Sequence, residues 1–320
     1  MRALASLAFA SAAMAQSLPG DRVLGSDTTV ARVSYLDDGS IAGYGQGRVR
    51  VWDAATGTLW RRMDPEAEPD SSPVAFSPRR GQLAKVTNTG VLEWWDLKTA
   101  RVTRPVAGIP AAVRGLVISP DGQSLATAHV PRREGGMNTV RVRDASGRER
   151  FAVPSGLGGI SVMCFSPDGS ALAAGSYDAD LRVWNARNGE LVRLIDDLPV
   201  SMFALSFSPD GKHLAAAGVD RTVYLWDTGS WKIARKLTGQ PEMISALAFS
   251  PDGRFLVTGG FNVLTSRHPV KVIVWEIRSG KMVRTMEAPH RVSSATFSPD
   301  GKRVAAAYGD KAVSVWQVRE

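Results

Sequence analysis

The chain has 320 residues, a formal net charge of +8 and a single cysteine. One cysteine excludes an intramolecular disulfide, and a chain of this length can bury a large core without help from metal or disulfides. The positive charge favours acidic partners, through a surface that is basic throughout or through a local basic patch. Because the Lys and Arg residues are scattered without a basic run, we expect no nucleic-acid partner. Cys164 lies in an apolar segment and is expected in the core, with a reactive thiol as the alternative.

The first fifteen residues have the pattern of a secretory signal peptide. Arg2 and the amino terminus give a positive start, residues 4–12 are apolar, and Ala13-Met14-Ala15 is a small-residue cleavage motif. The apolar run is shorter than the ~20 residues that a bilayer span needs. We therefore expect cleavage after Ala15, export to the periplasm or beyond, and no transmembrane segment. A cytosolic amino-terminal extension is the alternative.

A turn glycine recurs seven times along the rest of the chain. Five copies end a Ser-Pro-Asp-Gly tetrapeptide and two earlier copies are degenerate. The seven glycines are Gly39, Gly81, Gly122, Gly169, Gly211, Gly253 and Gly301, at intervals of 42, 41, 47, 42, 42 and 48 residues. A period of about 40–45 residues is typical of a β-propeller with one four-stranded sheet per repeat. The sequence therefore predicts an all-β, seven-bladed β-propeller over residues 16–320.

Residues 241–284 show how one repeat predicts one blade. In the turn Ser250-Pro251-Asp252-Gly253, Pro and Asp suit the central positions and Gly takes the position with positive φ. Strands are predicted around this turn at 244–249, 255–258, 272–275 and 282–286. The third strand of six repeats carries a tryptophan, and Arg143 takes its place in repeat three. These tryptophans are Trp52, Trp95, Trp184, Trp226, Trp275 and Trp316.

These repeats resemble the WD40 repeat family, in the exported bacterial type that has Phe-Ser-Pro-Asp-Gly hairpins. The Trp-Asp dipeptide occurs at Trp52-Asp53, Trp95-Asp96 and Trp226-Asp227, and the family's turn aspartate is matched by Asp178, Asp220 and Asp310. The family's Gly-His dipeptide is missing, with only Pro289-His290 close to it. The resemblance therefore implies that the buried Asp–His–Ser–Trp network of eukaryotic members is mostly absent. It covers about residues 20–320 and implies a platform that binds proteins.

The two ends of the propeller predict how the ring closes. The last repeat stops at residues 315–318, one strand short, whereas residues 21–25 have no blade of their own. We predict that residues 21–25 form the outer strand of blade seven. Such pairing of the two ends removes an exposed sheet edge.

Two loops between second and third strands are longer than the others, at residues 131–138 and 261–269. These loops share one face of a propeller, here called the top, with the loops that lead into the first strands. Inserted loops on a rigid scaffold often carry binding residues, and a tolerated surface insertion is the alternative. The predicted partner-binding residues are Arg132, Arg133, Phe261, Arg267 and His268, with Arg114 and Arg291 where first strands begin. We expect Phe261 and His268 to be exposed.

The local motifs of catalysis are missing from the sequence. It has no Gly-x-Ser-x-Gly, no His-Glu-x-x-His and no paired Cys/His spacing. The hairpin aspartates lie in different blades and are too dispersed to meet on one ion. We expect no catalytic residue, no cofactor and no metal, and predict a scaffold for a protein or envelope component. The alternatives are a lactonase-like or quinoprotein-like propeller enzyme, or a sensor, with its site in the central top pocket, and a purely structural envelope subunit.

Overall fold

The computed structural model describes residues 18, 20–64, 73–102, 105–110, 113–130, 137–156, 158–196, 198, 201–262 and 268–319. The expected signal peptide and its cleavage site lie outside the described residues. The same holds for Arg132, Arg133 and Arg267, which the sequence places in the two long loops.

Within the described residues, twenty-eight strands form seven antiparallel sheets of four strands each, and each sheet is one blade. Blade one contains β2 (Arg32–Tyr35), β3 (Ile41–Gly45), β4 (Arg48–Trp52) and β5 (Leu59–Met63). Blade two contains β6 (Val74–Ser77), β7 (Gln82–Val86), β8 (Leu92–Asp96) and β9 (Arg101–Val102). Blade three contains β10 (Val113–Ile118), β11 (Ser124–His129), β12 (Thr139–Asp144) and β13 (Glu149–Pro154).

The remaining blades repeat this order. Blade four contains β14 (Ile160–Phe165), β15 (Ala171–Ser176), β16 (Leu181–Asn185) and β17 (Leu191–Ile195). Blade five contains β18 (Met202–Phe207), β19 (His213–Gly218), β20 (Val223–Asp227) and β21 (Ile233–Leu237). Blade six contains β22 (Met243–Phe249), β23 (Phe255–Phe261), β24 (Val270–Glu276) and β25 (Met282–Ala288). Blade seven contains β26 (Ser294–Phe297), β27 (Arg303–Ala307), β28 (Asp310–Gln317) and β1 (Arg22–Val30).

The predicted seven-bladed, all-β propeller is thus confirmed. One turn of 3₁₀ helix, Pro78–Arg80, interrupts the strands within the described ranges. In that part of the chain, no helix has the length and apolar character needed to cross a membrane.

The Ser-Pro-Asp-Gly turns share one hydrogen-bonded geometry. Their glycines have φ between 66° and 71°, and each glycine N–H donates to the carbonyl oxygen of the turn's serine. In blade five, Ser208 Oγ donates to Asp210 Oδ1 over 2.6 Å and accepts from the His213 N–H over 2.9 Å. The hydrogen bond from Ser208 lowers the pKa of Asp210. Each aspartate therefore closes the hairpin in which it lies.

The hydrophobic core is divided into seven clusters, and each cluster joins two neighbouring blades. The third-strand tryptophans are central to these interfaces. Five of them are at most 2% exposed, namely Trp52, Trp95, Trp184, Trp226 and Trp275. Because the cluster between blades seven and one is as complete as the others, the blades form a closed ring.

The strand at the amino end completes blade seven, as predicted. In the β1–β28 ladder, Arg22 pairs with Val315 and Gly25 with Ala312. An ion-pair cluster reinforces this seam. The side chain of Arg50 is 1% exposed, and it contacts Asp27 of β1 and Asp64 after β5, each over 2.6 Å.

Two blades have a buried network of polar hydrogen bonds at the position of the third-strand tryptophan. In blade six, Trp275 Nε1 donates to Thr258 Oγ1, and Thr258 Oγ1 donates to Gln240 Oε1, both over 2.8 Å. In blade three, Arg143 Nη1 donates to Thr127 Oγ1 over 3.0 Å. These networks differ in composition from the Asp–His–Ser–Trp network of the family. Gln240 lies in the loop before β22, so the blade-six network fixes part of the top face.

Candidate functional site at the channel mouth

The first strands of the blades surround a central channel with a cavity of about 600 Å³. Apolar residues such as Val33, Val74 and Leu116 form part of its wall. Polar side chains of Arg32, Arg114, Ser161 and Ser294 also line it. These polar residues lie where first strands begin, so they mark the top end of the channel.

Three arginines lie around this mouth. Arg32 begins β2, Arg114 is the second residue of β10, and Arg291 lies in the loop before β26; all three are exposed. The starts of blades seven and one are joined by hydrogen bonds from Ser293 Oγ to the Ala31 carbonyl over 2.7 Å and from Ser294 Oγ to the Val33 carbonyl over 3.2 Å. Arg32 and Arg291 are therefore neighbours across this seam.

The charges of these arginines are not compensated within the described residues, where none of the three forms an ion pair. Surrounding protein and the positive charge of Arg291 lower the pKa of Arg32. Arg32 as a whole residue remains exposed. The mouth is thus positively charged, partly desolvated and open.

Aromatic side chains form one side of the mouth. Tyr177 contacts Phe203 edge to face with ring centroids 6.0 Å apart, and Phe203 contacts Phe261 in the same way at 5.7 Å. The guanidinium carbon of Arg291 lies 4.9 Å from the centroid of the Phe261 ring. These four residues belong to blades four, five, six and seven in that order. Their aromatic rings therefore form a row that ends at Arg291.

The structure corrects the prediction for Phe261. It is 8% exposed rather than open to solvent, because β23 extends to this residue and Phe203 and Arg291 cover its ring. His268 is exposed, as expected. Arg114 and Arg291 reach the channel mouth, where Phe261 also supports the rim.

Sequence reasoning missed Arg32, Tyr177 and Phe203. One signal was present for Phe203. The residue eight positions before the turn glycine is a serine in blades four, six and seven, but it is Arg114 in blade three and Phe203 in blade five. The serines at this position, Ser161, Ser245 and Ser293, each donate to a carbonyl of the next blade. Arg114 and Phe203 therefore differ in the sequence from the serine of these three blades.

Two of the turn aspartates, Asp220 and Asp310, have local partners. Asp220 accepts hydrogen bonds from the Tyr224 hydroxyl over 2.7 Å and from the Thr222 N–H over 3.2 Å. Asp310 accepts from the Lys311 N–H over 2.7 Å, and its Oδ2 lies 3.9 Å from His290 Nε2. In the described part of the chain, no three or more His, Cys, Asp or Glu residues are grouped to hold a metal ion. Asp220 thus has the turn-stabilising role that the family resemblance implies.

Cys164 lies on β14 and lines the channel wall, partly packed against the core between blades four and five. Burial raises the pKa of its thiol to about 12. A thiol with a raised pKa is a poor nucleophile near neutral pH. This agrees with Cys164 as a small packing residue.

Fold and site together define the chain as a seven-bladed β-propeller with a positively charged, aromatic-rimmed mouth on its top face. The family model described as WD domain, G-beta repeat matches four segments, residues 154–185, 198–227, 231–262 and 280–317. These segments fall on blades four to seven.

Several curated relatives share part of this sequence. WD repeat-containing protein SL1-17 of Schistosoma mansoni is 28% identical over 174 residues, which is 53% of this chain and 51% of the relative. Protein LST8 homolog of Drosophila melanogaster is 28% identical over 176 residues, which is 50% of this chain and 52% of the relative. The chain thus spans about half the length of these two relatives. Together with the repeat matches, they support the WD40 repeat family.

Proposed function

We propose that this propeller is a non-catalytic scaffold that binds an acidic segment of a partner protein at the channel mouth. The observation that carries the proposal is the convergence of Arg32, Arg114 and Arg291 without an ion-pair partner in the described residues. Like charges held together in a partly desolvated site favour a ligand of opposite charge. Carboxylates of an acidic segment suit guanidinium groups, because the two can form bidentate, charge-assisted hydrogen bonds.

The rest of the mouth supports a protein ligand. Tyr177 is 57% exposed at the end of the aromatic row and offers a large contact area beside the charged groups. Aromatic residues and arginine are enriched among the residues that dominate binding energy in protein interfaces. A closed ring also presents these groups in a fixed arrangement, so binding loses little conformational entropy.

The long loops belong to the same proposal. Arg132 and Arg133 in blade three and Arg267 and His268 in blade six would extend the positive surface outward from the mouth. The supporting argument is their place in the sequence, since a loop that follows a second strand is expected on the top face.

The test uses two labelled peptides, five repeats of Glu-Ser and five repeats of Gln-Ser. We expect the Glu peptide to bind and Arg32→Gln with Arg114→Gln to weaken its affinity at least tenfold, about 1.4 kcal/mol. The melting temperature should not fall, because each replaced arginine lacks a described ion pair. Arg187→Gln, an exposed change in a turn on the opposite face, is the matched control.

Equal binding of the Gln peptide, or equal loss of binding in the control, would contradict the proposal. A small-molecule site in the channel is the second candidate, favoured by the cavity of about 600 Å³, a size within the usual range for such ligands. Native mass spectrometry of the purified protein separates the two candidates. A stoichiometric bound compound, with no binding of the Glu peptide, would favour the small-molecule site.

We also propose that the protein is exported, and that the partner is therefore an envelope or extracellular protein. The supporting pattern is that of residues 1–15. Because β1 begins at Arg22, cleavage after Ala15 would leave the closing strand whole. Amino-terminal sequencing of the protein from a periplasmic extract should begin at Gln16. A chain that starts at Met1 and stays in the cytosolic fraction would overturn this proposal.

A further inference from the structure

A groove of about 370 Å³ lies on the bottom face between blades seven and one, on the opposite side from the channel mouth. Its walls come from the hairpin tips of both blades, the turn after β4, and the start of β5. Its lining includes Tyr35, Asp37, Asp53, Trp60, Asp300 and Arg303.

Blade one departs from the repeat at three positions, and all three line this groove. Tyr35 stands where four other blades have a phenylalanine, namely Phe165, Phe207, Phe249 and Phe297. Asp37 stands where the proline of the Ser-Pro-Asp-Gly turn occurs. Trp60 comes directly after Leu59, which pairs with the third-strand tryptophan Trp52. At the equivalent position, blades four, five and six have Val192, Ala234 and Val283.

The hydroxyl group of Tyr35 distinguishes this site from ordinary packing. Tyr35 is 4% exposed, and within the described residues its hydroxyl has no hydrogen-bond partner. Such a group is costly to bury, and a phenylalanine fills the same position in blades four to seven. Burial raises the pKa of Tyr35, and the charges of Arg303 and Asp300 also act on it. Tyr35 lines the groove together with Asp300 and Arg303.

The charge of the groove is opposite to that of the whole chain. Asp37, Asp38, Asp53 and Asp300 line it, against one lining cation, Arg303. Arg303 Nη1 donates to the Ala54 carbonyl over 3.2 Å. Trp60 is 55% exposed at the side of the groove, and an aromatic face beside carboxylates attracts a cation.

We propose that this groove binds a basic side chain, an arginine or lysine presented by a partner polypeptide. The cation lies against the Trp60 ring and donates hydrogen bonds to Asp37 and to the Tyr35 hydroxyl, which thereby gains its partner. The site is on the opposite face from the acidic-segment site and has the opposite charge. One propeller then has separate positions for an acidic and a basic partner segment.

The test follows the Trp60 indole signal by NMR in protein labelled with ¹⁵N-tryptophan. The probe is acetyl-Gly-Ser-Arg-Ser-Gly-amide, and its citrulline analogue is the neutral control. We expect the arginine peptide alone to shift the Trp60 signal. Tyr35→Phe should weaken affinity about three- to tenfold while the melting temperature stays level or rises, since this change introduces the residue of blades four to seven. The Asp196→Asn control, an exposed carboxylate on blade four, should leave affinity unchanged.

Two results would overturn the proposal. One is equal binding of the citrulline peptide. The other is a Tyr35→Phe protein whose affinity for the arginine peptide is unchanged. If the melting temperature of that variant is also lower, the hydroxyl has a structural role instead. Arg32→Gln separates this site from the channel mouth, because it should leave binding of the arginine peptide intact whether or not the mouth binds acidic segments.

Discussion

The Thr258 hydroxyl shows how one side chain can fix a loop of the top face. It accepts from Trp275 Nε1 and donates to Gln240 Oε1, and Thr258 itself is fully buried. Neither Trp275 Nε1 nor Gln240 Oε1 can form a hydrogen bond with water instead unless the surrounding side chains rearrange. The network therefore connects the third strand of blade six to the loop before β22.

Replacement of this hydroxyl tests its role. We expect Thr258→Val, which keeps the shape of the side chain, to lower the free energy of unfolding by about 1–3 kcal/mol because two buried groups lose their partner. Thr258→Ser keeps the hydroxyl and should cost less. Urea denaturation of both variants measures the difference, and equal stability of the Val variant and the unchanged protein would show that the network contributes nothing.

Sequence reasoning at the residue scale had uneven results at the candidate site. Arg114 and Arg291 were predicted because they precede first strands, and the structure brings both to the channel mouth. Arg32 occupies a similar position in blade one but was missed, because its meaning depends on Arg291 from the far end of the chain. Phe261 was predicted as exposed, and its burial by Phe203 of another blade leaves no trace in the local sequence.

Strands and turns are the elements that the sequence predicted best. The predicted strand at 282–286 lies within the observed β25, Met282–Ala288, and the glycine turns have the expected positive φ. The second strand of blade six was predicted at 255–258 but extends to Phe261. Its ladder continues because Phe261 pairs with Met243. Hydrophobic patterns and turn residues act locally, whereas the length of a ladder depends on its neighbouring strand.

On the scale of the whole molecule, closure of the ring depends on the seam between blades seven and one. Hydrogen bonds of the β1–β28 ladder form part of it. Arg50 adds a charged link, since its guanidinium contacts Asp27 on β1 as well as Asp64 at the end of blade one. Asp21 adds another, with Arg284 of blade six at 2.6 Å. The amino-terminal strand is therefore connected to three blades.

The Arg50 link predicts a dependence of stability on pH. The hydrogen bond from Arg50 lowers the pKa of Asp27 below its usual value of 3.8. A carboxylate with a lowered pKa in the folded state stabilises the fold above its usual pKa and loses this effect as the pH falls through the lowered value. We therefore expect Arg50→Met to reduce the melting temperature at pH 7, with a difference from the unchanged protein that narrows below about pH 4.

Thermal unfolding from pH 7 to pH 2 measures this difference. Arg193→Met, an exposed change on the outer strand of blade four, is the control and should leave the melting temperature unchanged. A difference between the Arg50 variant and the unchanged protein that is constant over the whole pH range would mean that Arg50 acts through packing alone.

By itself the sequence determined the number of blades, the course of each hairpin and the closure of the ring by the first strand. The number of blades and the hairpins depend on turn residues and hydrophobic patterns that repeat within about 50 residues, as propeller repeats do. Closure was predicted from the strand that the last repeat lacks and the extra strand before the first. Tertiary structure alone decided which charges meet. Arg32 lies beside Arg291, and Tyr35 lies in one groove with Asp300, because the ring brings the two ends of the chain together. No local pattern records such contacts, since each depends on a residue from another blade.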